Sequence, residues 1–132
     1  MRFEMIKKVF LVSAAAVTLL LSACLSEVPL NHESYTEGLT VEQVRQAVLD
    51  GAKVRGWKTE QVKPGFIVAT YTKDKKTASV DILYDANGFR ITMNDKTNMV
   101  EKNGKVDGKY NQWVNNLNGD ISNAAVKIGL PK

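Results

Sequence analysis

The sequence predicts an α+β domain in which two helices cover the apolar face of a three- to four-stranded antiparallel sheet, in the order α-β-β-β-α. Three observations carry this prediction. Apolar residues recur at helical spacing over 41–52, alternate with polar residues through two successive hairpins, and return to helical spacing over 110–128. Helices that bury one stripe and strands that bury one face close a single core between them.

The first helix opens at Thr40. Thr40 and Gln43 have the spacing of a capping box, with the threonine oxygen serving the N3 amide and the glutamine reaching back. Leu39 and Val44 take the two hydrophobic-staple positions. Val41, Val44, Val48 and Ala52 form the apolar stripe, and Glu42, Arg45 and Asp50 lie off it. Gly51 costs about 1 kcal/mol relative to alanine inside a helix, and is expected to allow close packing on the sheet. Gly56 is the stop signal.

Period two follows. Trp57 to Val62 has room for an extra edge strand before the Lys63-Pro64-Gly65 turn. The run Gly65 to Lys73 pairs back through the turn at Lys73 to Lys76, which sets Tyr71 opposite Ala78, Ala69 opposite Val80 and Ile67 opposite Ile82 on the core face. Asn87-Gly88 then reads as a two-residue type I′ turn. That turn places Ala86 opposite Phe89, Tyr84 opposite Ile91 and Ile82 opposite Met93 on the core face, with Asp85 opposite Arg90 and Asp81 opposite Asn94 on the other. Phe66, Val68 and Leu83 fall on the face away from the core. They read either as a small interaction surface or, more simply, as partly covered outer surface, since scattered surface apolars are common.

The last helix has the longest stripe: Tyr110, Trp113, Val114, Leu117, Ile121, Ala124, Ala125 and Ile128. Asp107 caps its start, and Gly129-Leu130-Pro131 is expected to end it in a Schellman-like way.

The N-terminus has a different character. Arg2, Lys7 and Lys8 precede thirteen uncharged residues, Val9 to Leu21. A spanning helix needs roughly 20 apolar residues and a secretory signal roughly 7–15, so this run reads as a signal peptide. Met5 offers an alternative start that would omit Glu4. Leu21-Ser22-Ala23-Cys24 resembles a bacterial lipobox, which implies cleavage before Cys24 and acylation of its thiol and new amine. Cys24 is the only cysteine, so no disulfide partner competes for it. One acyl chain binds a membrane only marginally, and several hold it firmly. Leu25 after the cysteine favours the outer membrane by resemblance to enterobacterial sorting.

The chain therefore divides into a signal peptide at 1–23, a lipidated N-terminus and flexible tether at 24–38, and one α+β domain at 39–132. His32, the only histidine, falls in the tether and reads as a solvated residue. Removing 1–23 takes three basic residues and one acidic residue from a formal charge of +4, which leaves +2 on 109 residues. No concentrated basic patch points to nucleic acid. Lys73, Lys75 and Lys76 surround Asp74 in the hairpin turn, where solvation explains them more simply than a contact with anionic lipid or polymer.

At Tyr110-Asn111-Gln112-Trp113-Val114 the chain resembles a family of small, mostly uncharacterised bacterial lipoproteins. Their pattern runs from a helix ending in a Gly-Trp-like pair, through three strands, to a final helix opening Tyr-Asn-x-Trp-Val and continuing to Leu and Ile. Here Leu117 and Ile121 complete that helix. Arg55-Gly56-Trp57, Gly65 to Ala69, Ala78 to Ile82 and Phe89-Arg90-Ile91 match the earlier part, so the resemblance covers about residues 41 to 121. Family members often carry a Tyr-x-x-Ser-like run after the last strand, and Met93 to Asn98 departs from it. The resemblance implies fold and envelope location, and brings no catalytic residues with it.

An enzyme is not expected. The chain has no second cysteine, no histidine beyond His32, no glycine-rich phosphate loop and no carboxylate pair at diagnostic spacing. A hydrolase built on Asp81, Asp85 or Asp95 with lysines is the weakest alternative. No cofactor and no metal ligand set are expected. The leading expectation is an envelope lipoprotein, held to the membrane by acyl chains on Cys24, that binds an envelope protein or cell-wall component. A small-ligand carrier, with Tyr71, Tyr84, Phe89 and Trp113 lining a groove between helices and sheet, is the alternative.

Overall fold

The computed structural model describes residues 26–131. The expected signal peptide and Cys24 lie outside the described residues. The elements follow in the order β1 (Ser26–Glu27), β2 (His32–Tyr35), α1 (Val41–Val54), β3 (Lys58–Lys63), β4 (Phe66–Lys73), β5 (Lys76–Asp85), β6 (Gly88–Met93), β7 (Val106–Asp107) and α2 (Gly108–Gly129). An antiparallel sheet in the order β2-β6-β5-β4-β3 carries the fold, and β1 pairs separately with β7. The α+β class, the antiparallel sheet and the two helices agree with the sequence reading. The strand count and order do not: the sheet has five strands, and two strands precede the first helix.

Helix α1 begins as its residues dictate. Thr40 Oγ1 accepts from Gln43 N at 3.2 Å, and Gln43 Oε1 accepts from Thr40 N at 2.9 Å. It ends in a Schellman motif, in which Trp57 N donates to Ala52 O at 3.0 Å and Gly56 N to Lys53 O at 3.2 Å. Val44, Ala47, Val48, Gly51 and Ala52 are buried. Val41, expected in the stripe, is exposed, and the half-buried Leu39 packs against the core at that end of the helix. Gly51 meets the other helix and not the sheet: a Cβ there would lie 2.5 Å from Ile121 Cα. The backbone of α2 at Ile121 comes this close because Gly51 has no side chain to hold it off.

The β4–β5 hairpin has the expected register, with Ile67↔Ile82, Ala69↔Val80 and Tyr71↔Ala78. Its two turn residues, Asp74 (φ 52°) and Lys75 (φ 66°), supply the pair of positive φ angles that a type I′ turn needs. The β5–β6 hairpin differs from expectation by two residues: Tyr84 faces Phe89, Ile82 faces Ile91 and Val80 faces Met93. The loop is Ala86-Asn87, tightened by Asn87 N donating to Asp85 Oδ1 at 2.8 Å, and Ala86 is exposed. A shift of two keeps every side chain on its face, so the core is unchanged. Gly88 serves a different need from the predicted turn. With φ at 154°, it lies against β2, where a Cβ would sit 2.0 Å from Ser34 O.

Residues 26–38 are not a tether throughout. β2 pairs with β6 through His32↔Ile91 and Ser34↔Phe89, and Thr36 N donates to Asn87 O at 2.8 Å. The free edge of β6 carries backbone donors and acceptors that this segment satisfies without any apolar run of its own. Asn111, at the start of α2, clamps the approach: its Oδ1 accepts from Leu30 N and its Nδ2 donates to Val28 O, each at 2.9 Å. Farther along α2, Ser34 Oγ donates to Asn118 Oδ1 at 3.0 Å. His32 is correspondingly half-buried on this helix-facing side and is no solvated tail residue.

Asp107 caps α2 as expected, accepting from Lys109 N at 2.9 Å. The other end departs from expectation. Leu130 is extended (φ −70°, ψ 141°), because the following Pro131 disfavours the helical conformation there. Tyr110, Val114, Leu117 and Ile121 are fully buried against Ile67, Val80, Ile82 and Ile91 of the sheet and Val44 and Val48 of α1. Among the described residues, no helix is long and apolar enough to cross a membrane.

Candidate functional site

Both helices pack on one face of the sheet, so the other face is where the alternation leaves unburied side chains. Cross-strand pairing sets Phe66 beside Leu83, Leu83 beside Arg90 and Arg90 beside Glu33, a row running from β4 to β2. One pleat farther along, Val68 lies beside Glu60 and Asp81. The structure thus places Phe66, Val68 and Leu83 on one open face. Phe66 and Val68 are half-buried, and Leu83 is 44% exposed.

Phe66 and Leu83 share a depression of about 560 Å³ with Glu33, Tyr35, Lys63 and Arg90. The Pro64-Gly65 turn and the Asp85–Gly88 turn form its rim. Val68 lies outside it. The apolar floor is flanked by charges of both signs: Arg90 Nη2 is 4.0 Å from Glu33 Oε1, with both side chains more than half exposed. Such a pair contributes little to stability, so these charges stay available to a partner. Tyr35, 77% exposed, donates to Glu33 Oε1 at 3.4 Å. Sequence reasoning missed Tyr35 and Glu33 because β2 was read as tether, and Arg90 because the expected register set it opposite Asp85 and not Leu83. The outward alternation of Glu33 and Tyr35 was the available signal.

The edge beyond β3 is poorly suited to accepting another strand. β3 is exposed along its length, carries Lys58 and Lys63, and breaks register between Gln61 and Lys63. Charges and a bulge on an edge strand oppose further pairing.

The four aromatics proposed to line one groove do not meet. Tyr84 and Phe89 are buried opposite each other near the Asp85–Gly88 turn. Tyr71 stacks at 5.5 Å on Trp57 and edge-on at 5.0 Å to Trp113. This second cluster floors a pocket of about 210 Å³ with Arg55, Lys73, Gln112 and Asn116 around it. Arg55 is held there by Asp120 at 2.8 Å.

Perturbed titrations lie away from the open face. Burial, with the Asp81 charge adding to it, pushes the Tyr110 hydroxyl well above the ordinary tyrosine range. Burial lowers His32, whose Nε2 has no hydrogen-bond partner among the described residues. The hydrogen bond from Lys76, followed by that from the Lys109 amide, lowers the Asp107 carboxyl. None of these three lines the depression. Among the described residues, no group of three or more His, Cys, Asp or Glu side chains gathers to hold a metal ion.

Comparison with family models, with curated proteins and with solved structures returned no match.

Proposed function

We propose that the chain is a lipoprotein of the bacterial envelope, anchored through Cys24, whose domain is a non-enzymatic binding module for an envelope protein or cell-wall component. The lipobox resemblance at Leu21 to Cys24 motivates the anchor, and Leu25 favours the outer membrane. The resemblance of Tyr110 to Val114 to a family of small bacterial lipoproteins points the same way. Asn111 within that motif has a physical task here, holding the segment that leads from the anchor.

The observation that carries the binding reading is the pairing of Phe66 with Leu83 on a sheet face without a covering layer, ringed by Arg90, Glu33, Lys63 and Tyr35. Apolar centres with polar rims are what protein interfaces present. Phe66 and Lys73 stand at opposite ends of the eight-residue β4, roughly 23 Å apart at strand rise. The depression therefore lies at the end of the sheet opposite the β4–β5 turn, which Lys76 ties to Asp107 beside β1.

A photo-crosslinking side chain at Leu83, compared in intact cells with one at the exposed Val126 of α2, tests this. A reproducible adduct at Leu83 alone is expected, and Phe66→Ser with Leu83→Ser removes co-purification of that adduct's partner without unfolding the domain. Identical adducts at both sites, or none at Leu83, would sink the binding reading. The small-ligand alternative rests on the Trp57–Tyr71–Trp113 pocket. It predicts a co-purifying ligand in native mass spectra that Trp113→Ala removes, and bare protein mass overturns it.

A further inference from the structure

We propose that the end of the domain where β1 meets β7 is a membrane-facing surface. Val28, Leu30 and Val100 enter the headgroup region there, and Lys75, Lys102 and Lys105 meet the phosphates of anionic phospholipid. The proposal rests on the reading of Cys24 as the lipid attachment point.

Its geometric basis is the shortness of the free chain. Ser26 pairs with Asp107 and Glu27 with Val106, and Asn111 holds Val28 and Leu30 by their backbones. Cys24 stands two residues before Ser26, and an extended chain spans at most about 3.6 Å per residue. The acylated residue is therefore within roughly 7 Å of a fixed strand. A domain tied that closely presents one end to the bilayer.

That end has the composition an interface requires. Val28 is 68% exposed, and Leu30 and Val100 are each 46% exposed. Val100 bridges to Val106, so it sits beside the same small sheet. Lys102 and Lys105 lie on the following turn, closed by Glu101 N donating to Lys105 O at 2.7 Å. Lys75 belongs to the β4–β5 turn, which Lys76 ties to Asp107 at 2.6 Å and Asn98 ties through the Lys75 carbonyl at 3.1 Å. Lys73 and Lys109 are exposed at the same end, and together these lysines outnumber Glu27, Asp74 and Glu101. Apolar side chains ringed by lysines, whose stems lie along apolar surface while the ammonium reaches outward, match a bilayer interface. The fold brings the lysines of the β4–β5 turn to the end where β1 meets β7.

The test uses the acylated protein purified from bacterial membranes and reconstituted into vesicles of phosphatidylcholine, alone or mixed with phosphatidylglycerol. Amine-reactive labelling is read residue by residue by mass spectrometry. In the mixed vesicles, labelling at Lys75, Lys102 and Lys105 is expected to fall several-fold relative to Lys63 at the opposite end. High salt should restore it, because screening weakens exposed charge contacts. The Lys102→Glu, Lys105→Glu double variant should free Lys75 in the same vesicles. Equal labelling at both ends of an acylated protein overturns the proposal and leaves the anchored reading standing. The mass of the Cys24 peptide from the same digest reports acylation directly, and an unmodified cysteine overturns the anchored reading and the membrane face with it.

Discussion

Replacing Asn111 by alanine isolates the contact that turns the N-terminal segment from a tether into part of the domain. The asparagine is 4% exposed and spends both halves of its carboxamide on the backbone, one on Leu30 N and one on Val28 O. A typical hydrogen bond contributes about 0.5–1.5 kcal/mol net, and a group left buried without a partner costs about 1–3 kcal/mol. Val28 and Leu30 are exposed residues, so water can reach their freed backbone groups and the lower range applies. Two bonds then amount to about 1–3 kcal/mol, a factor of roughly 5 to 150 in the opening equilibrium of the segment. Hydrogen exchange on peptides covering 26–36, compared with peptides from α1 and β5, measures that opening. Protection should fall by such a factor in 26–36 and much less in the central strand. Asn111→Asp keeps an acceptor for Leu30 N but sets a buried carboxylate oxygen against Val28 O, so its loss should be at least that of alanine. Unchanged protection at 26–36 with a uniform loss elsewhere would refute the clamp and make Asn111 an ordinary core residue.

Gly51→Ala should lower the unfolding midpoint by the equivalent of about 2 kcal/mol, because a Cβ only 2.5 Å from Ile121 Cα outweighs the helix-propensity gain of about 1 kcal/mol. A raised midpoint would show that the helices separate freely. Gly88→Ala should free β2 selectively, since its Cβ would collide with Ser34 O, and exchange at His32–Tyr35 reports it. Burial depresses the folded pKa of His32 below its ordinary 6.5, so between the two values the unfolded chain holds more protons and stability rises with pH. Lowering the pH from about 7.5 to about 5.5 should therefore weaken β2 docking, and His32→Gln should remove that slope from urea midpoints. The Asp107 carboxyl is lowered chiefly by Lys76, so its contribution is present above the ordinary carboxylate pKa and lost as pH falls through the folded one. Asp107→Asn should flatten acid unfolding in that window.

The elements that sequence reading located are those whose information is local. Thr40 and Gln43 need only each other to announce a helix start, and the alternation of Ile67, Ala69 and Tyr71 against Ala78, Val80 and Ile82 sets both register and face. The β5–β6 register was legible only to within two residues. A shift of two leaves every face intact, and what chose between registers was the Asp85–Asn87 contact and the approach of β2 to Gly88. β2 itself was illegible, since His-Glu-Ser-Tyr joins the sheet by backbone pairing and by asparagines some 80 residues away. The candidate surface divides in the same way. Phe66, Val68 and Leu83 were readable as the face left over, whereas Arg90 joined Leu83 through the β5–β6 register and Glu33 and Tyr35 joined them only through β2.

By itself, then, the sequence determined the fold class, the two helix starts and the faces of the central strands. Each of these depends on residue type at a fixed short spacing, where chain geometry leaves little choice. Only the tertiary structure decided that the N-terminal segment is a folded strand, that Gly51 marks a helix crossing, and that lysines from distant turns share the end of the domain where β1 meets β7. Those outcomes depend on backbone hydrogen bonds and close approaches between segments far apart in the chain, and no local pattern of side chains encodes them.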